Sequence, residues 1–117
     1  MNIEPLKMNK HQNNMDIRIE APNFSPSEAL KDFVNEKVGK LFNQSSAILH
    51  AEVTMYEEGN SGAKTQVCEI RLAVPGNDHF VKKESPAFEQ SILEAVDTLQ
   101  KVVSRQKEKE VGQRNDA

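Results

Sequence analysis

Lys101, Arg105 and Lys109 recur at a spacing of four, with Lys107 among them, in the far half of a long segment striped with apolar residues. That spacing puts the three on one helical face, each about one turn from the next. Ammonium and guanidinium groups so placed are suited to binding phosphate oxygens. The near half of the segment carries Glu84, Glu89, Glu94 and Asp97 instead. Acids near a helix N-terminus and bases near its C-terminus also stabilise any exposed helix, by about 0.3–1 kcal/mol each. The pattern therefore has a purely structural reading beside the chemical one. Lys31, Lys37 and Lys40, earlier in the chain, could extend the cationic set into a stripe, diluted by Asp32 and Glu36. Lys82 and Lys83 read as charges that protect an edge strand.

Other chemistries find no support. His11, His50 and His79 are isolated, without a Cys, His, Asp or Glu at metal-ligand spacing, and His50 and His79 read as exposed strand residues. There is no P-loop, dinucleotide fingerprint or nucleophile elbow. Gly59 and Gly62 read as turn residues. Cys68, the one cysteine, lies in an alternating strand pattern and reads as a buried structural thiol. The expectation is a protein without catalysis, metal, cofactor or small-molecule substrate.

Composition narrows the partners. With 15 basic and 18 acidic residues the net charge is −3, so any nucleic-acid role must rest on a local patch. Five Phe, one Tyr and no Trp leave little for a base-stacking platform. No apolar run approaches the ~18 residues of a membrane span. The opening MNIEPLKMNKHQNNM lacks the apolar core of a signal peptide. A cytoplasmic protein is expected.

The elements that must hold the cations follow from periodicity. Residues 1–15 are polar and aperiodic and read as a flexible leader. Ile17, Ile19 and Ala21 alternate with polar residues as a half-buried strand. Ser25-Pro26-Ser27-Glu28 predicts a helix start, with Ser25 as cap, Pro26 in the first helical position and Glu28 completing a capping box. Leu30, Phe33, Val34, Val38, Leu41 and Phe42 form its apolar stripe. Two strands follow. In Ile48–Tyr56, Leu49, Ala51, Val53 and Met55 point inward; in Gln66–Val74, Cys68, Ile70, Leu72 and Val74 do. Pro75-Gly76-Asn77-Asp78 is a turn, Phe80 and Val81 a short strand, and Ser85-Pro86 the cap and first residue of the last helix. Its stripe is Phe88, Ile92, Ala95, Val96, Leu99, Val102 and Val103. The fold class is α+β, a β-α-β-β-β-α two-layer sandwich with a four-stranded mixed sheet and both helices on one face. A single domain is expected over 16–111, with a disordered tail at 112–117.

MDIRIEAPNFSPSEALKDFVNEKVGKLF at Met15–Phe42, ILHAEVTMYEE at Ile48–Glu58 and VPGNDHFVKKESPAFEQSILEAVDTLQKVVSRQKEK at Val74–Lys109 together cover nearly everything after the leader. Their order resembles the ribosome hibernation-promoting factors, or ribosome-associated translation inhibitors, in a short form without the C-terminal domain that pairs ribosomes. The chain departs from that family's usual pattern at Ala87, Glu89, Thr98 and Val102–Arg105. The resemblance implies binding to the small ribosomal subunit in the channel of mRNA and the A- and P-site tRNAs, silencing ribosomes under starvation or stress. It implies that Lys31, Lys37, Lys40, Lys101, Arg105, Lys107 and Lys109 contact rRNA phosphates. A monomer is expected. The alternative is a protein-interaction module or homodimeric adaptor, using the open sheet face or an edge strand.

Overall fold

A computed structural model describes residues 15–59, 62 and 64–116, with side chains described through Gln106. The elements run β1 (Ile17–Glu20), α1 (Glu28–Gln44), β2 (His50–Glu58), β3 (Thr65–Ala73), β4 (His79–Ser85) and α2 (Phe88–Asp116). The sheet order is β1-β2-β3-β4; β1 pairs parallel with β2, and the other pairs are antiparallel. This is the expected β-α-β-β-β-α arrangement. Helix α2 is continuous to Asp116, past the end of its apolar stripe.

The periodicities explain the layering. Ala51, Val53 and Met55 of β2 and Cys68, Ile70 and Leu72 of β3 share one sheet face. Val34, Val38 and Leu41 of α1 and Ile92, Leu99 and Val103 of α2 close over that face as one core. Met15, immediately before β1, lies against buried Gly39 of α1, where a Cβ would approach its sulfur to 3.1 Å. Burial pushes the Cys68 thiol up to about 12, which keeps it protonated and inert.

Both helix starts differ from expectation. The α1 cap is Ser27, whose side chain accepts from Leu30 N–H (3.1 Å), and Glu28 pairs with Lys31 (2.9 Å) instead of closing a capping box on Ser25. Phe24 stacks on Phe88 with centroids 4.8 Å apart. Ser85 ends β4 in register with Gln66, and its hydroxyl accepts from the Ala87 N–H (3.3 Å) ahead of the helix, so it serves only one of the orphan amides. The amide of Phe88 instead donates to Gln66 Oε1 of β3 (2.9 Å), and the Ser91 hydroxyl donates to the Gln66 carbonyl oxygen (2.6 Å). The start of α2 is thus capped in part by a neighbouring strand. Gln66→Ala should lower stability by about 1 kcal/mol, read as a shifted urea midpoint; an unchanged midpoint would show that water serves the Phe88 amide equally well.

Smaller corrections concern the sheet. β4 runs seven residues, well beyond Phe80 and Val81. Leu49, expected inward, is 62% exposed, while Ile48 before it is 8% exposed. The ladder of β2 starts only at His50, and the chain leading into it turns Ile48 toward Val74 and Val103. His50 and His79 are half-buried, His50 because its Nε2 lies 3.1 Å from Glu52 across the sheet surface. Gly76 holds a φ of 97° in the predicted turn, a conformation that suits glycine.

Candidate nucleic-acid interface

The crossovers force α1 and α2 to run side by side in the same direction. Phe24 and Phe88 mark their N-terminal ends. At the other end Gln44 Nε2 donates to the Gln100 carbonyl oxygen and to Ser104 Oγ, both at 2.9 Å. The C-terminal end of α1, where cations are favoured, therefore lies beside the middle of α2, which continues to Asp116. The last turn of α1 has no basic residue of its own.

Charge separates along this layer. Residues 37–44 and 97–106 hold Lys37, Lys40, Lys101 and Arg105 against Asp97 alone. Residues 28–36 and 88–96 hold Glu28, Asp32, Glu36, Glu89 and Glu94 against Lys31 alone. Phe33, Lys37, Lys40 and Gln44 recur at four- and three-residue steps, which gives them one flank of α1, the flank from which Gln44 reaches α2. Lys101 and Arg105 line a shallow depression with Gln44, Asp97, Gln100 and Ser104. Two of the seven sequence candidates, Lys101 and Arg105, thus line the depression at the Gln44 bridge, and Lys37 and Lys40 share the flank of α1 that carries Gln44.

Lys31 does not join them. It precedes Lys40 by nine residues, which at about 3.6 residues per turn is the opposite side of α1. The side chains of Lys107 and Lys109 lie outside the described residues.

Three of the cations already touch carboxylates. Lys31 meets Glu28 at 2.9 Å, Lys37 meets Glu36 at 3.7 Å and Lys101 meets Asp97 at 3.4 Å. Lys37 also lies over the Phe33 ring, 5.4 Å from its centroid. Lys101 and Asp97 are both about two-thirds exposed. Surface pairs of this kind contribute roughly 0–1 kcal/mol, too little to prevent exchange of Asp97 for a phosphate. Lys40 and Arg105, both exposed, make no ion pair among the described residues.

The uncovered sheet face has the opposite character. It carries Asp16, Glu20, Glu52, Glu58, Glu69 and Glu84 against Arg18, Arg71 and Lys82. Hydrogen bonding to Arg18 lowers the Asp16 pKa and raises that of Arg18, and the charge of Glu58 raises that of Lys82. The Tyr56 hydroxyl donates to Glu69, which pushes the phenol pKa up. Val67, though on this face, is fully buried between register neighbours Tyr56 and Glu84. Among the described residues the basic groups thus concentrate where the end of α1 meets the middle of α2.

Sequence reading missed Gln44, Ser104 and Gln66. Their roles depend on contacts between residues up to 60 apart, for which no local pattern exists.

Residues 17–111 match the family described as sigma 54 modulation protein / S30EA ribosomal protein. This chain belongs to that family. Among solved structures it is similar to the N-terminal domain of Protein Y from Thermus thermophilus, at 27% identity and a TM-score of 0.68, covering 78% of this chain and 98% of that one. It shares the fold of a ribosomal subunit interface protein from Coxiella burnetii, at 17% identity and a TM-score of 0.68, covering 80% and 98%. A search of curated proteins gives no match. Among the described residues no helix is long and apolar enough to cross a membrane, and no group of His, Cys, Asp and Glu is arranged to hold a metal ion.

Proposed function

We propose that this chain is a non-enzymatic, cytoplasmic factor that binds the small ribosomal subunit at the mRNA/tRNA channel and inhibits translation under stress or in stationary phase. Family membership supports a ribosomal partner, and the Coxiella protein of the same fold is named as a ribosomal subunit interface protein. The observation that supports the reading is the depression lined by Lys101 and Arg105 at the Gln44–Ser104 contact, with Lys37 and Lys40 on the same flank of α1 as Gln44 and Asp97 the lone acid in residues 37–44 and 97–106. Cations on two rigid parallel helices present phosphate-binding groups at fixed separations. That arrangement suits the shape of folded RNA better than its sequence. Lys107 and Lys109 continue the basic run along the chain, and Lys31 would contribute only from the far flank. The acidic sheet face and the acidic helix end would turn away from RNA, which reconciles a net charge of −3 with an RNA partner.

Co-sedimentation of the purified protein with small subunits across a salt series tests this. If four cations displace counterions, log affinity should fall with log salt at a slope of about −3 to −4. Retention that ignores salt, or no retention at low salt, would refute phosphate contact.

A further inference from the structure

We propose that the uncovered sheet face is a second docking surface, one that takes a lysine- or arginine-rich polypeptide segment of a partner protein across β2–β4. The inference goes beyond RNA binding, because it concerns the layer opposite the helices. Carboxylates outnumber basic groups six to three on the described face, and Glu20 and Glu84 make no ion pair among the described residues.

The face also has a shaped feature. Glu52, Thr54, Glu69, Arg71 and Phe80 line a depression of about 140 Å³, the scale of one long side chain. The Phe80 ring stands 52% exposed on this polar surface. Its ability to take a cation is visible within the chain, since the Arg71 guanidinium lies 5.1 Å from the ring centroid. Tyr56 holds the Glu69 carboxylate in place by hydrogen bonding. A visiting lysine or arginine would find an aromatic face and two carboxylates together, with Arg71 swinging aside.

Charge excludes the other occupants. A second copy paired face to face would set one acidic surface against another, and a nucleic acid would set phosphates against carboxylates. A cationic polypeptide complements the surface. Because the helix ends lie on the other layer, both surfaces could be engaged at once.

The test uses the full chain, isotope-labelled, titrated at low salt with a twelve-residue peptide of alternating arginine and serine. A serine-glutamate peptide and a twelve-nucleotide single-stranded RNA serve as comparisons. The arginine peptide should shift amides of β2, β3 and β4 on the open face, with affinity reduced about five-fold or more in Phe80→Ala and in the double variant Glu52→Gln/Glu69→Gln. The Gln at 69 can still accept from Tyr56, and unchanged amide dispersion confirms the fold. The double variant Glu89→Gln/Glu94→Gln, on the acidic helix end, should bind the peptide as the parent does. Shifts confined to that helix end, equal affinity in the sheet variants, or RNA binding on the sheet in the peptide's place would each overturn the proposal. No ribosome enters the experiment, so the fate of the ribosomal reading does not affect its outcome.

Discussion

Replacing Lys40, Lys101 and Arg105 together by glutamate is expected to weaken small-subunit binding by at least about a hundredfold at moderate salt. Each substitution removes one phosphate contact and puts a negative charge beside the phosphate it leaves. The loss should appear as protein staying at the top of a sucrose gradient. The fold should survive. Lys40 and Arg105 pair with no carboxylate among the described residues, and the exposed Lys101–Asp97 pair lies at 3.4 Å on the surface. Lys31→Glu makes the discriminating comparison, since Lys31 stands on the far flank of α1 and pairs with Glu28. It should cost far less than any of the three. Equal losses at Lys31 and Lys40 would mean that binding follows total charge and not the helix-end cluster.

Leu99→Ala should have the largest effect on stability. Leu99 is 1% exposed and sits in the core that α2 shares with the sheet and α1. Truncating such a residue costs about 2–5 kcal/mol, the transfer term plus the cavity left behind. That is a large share of the roughly 5–15 kcal/mol that holds a domain together. For a domain near this size it corresponds to a melting temperature lower by roughly 10–20 °C. Subunit binding should weaken too, although no charge changes, because Lys101 and Arg105 depend on α2 staying packed beside α1. A loss below about 1 kcal/mol would show that α2 contributes little to the core.

Much of the fold could be read from spacing alone. The stripes of Val34, Val38 and Leu41 and of Ile92, Leu99 and Val103 face the core as expected, and so do Ala51, Val53 and Met55. These positions follow the helical and strand periods, which depend only on the local chain. What spacing could not supply is any choice between local alternatives that a distant residue decides. Ser25 and Ser27 both have the chemistry of a cap, and it is Ser27 that accepts from the Leu30 amide. Ser85 accepts from the Ala87 amide, but the Phe88 amide is served by Gln66 of a different strand. Val67 is buried on a face that otherwise reads as solvated.

The same division applies to the cations. The types and helix positions of Lys37, Lys40, Lys101 and Arg105 were legible. Nine-residue spacing already set Lys31 opposite Lys40. Which flank of α1 meets α2 was not legible, because it rests on the contact of Gln44 with Gln100 and Ser104.

The most direct measurement is rRNA cleavage by a hydroxyl-radical probe tethered to single introduced cysteines, at Ser104→Cys where the end of α1 meets α2 and at Glu20→Cys on the open sheet. The native Cys68 will not compete for the probe, being buried with its thiol pushed up to about 12. The account predicts strong, localised cuts in small-subunit rRNA from position 104 and weak or no cuts from position 20. Cuts chiefly from position 20, or none from either in a protein that co-sediments, would contradict the assignment of the helix ends to RNA.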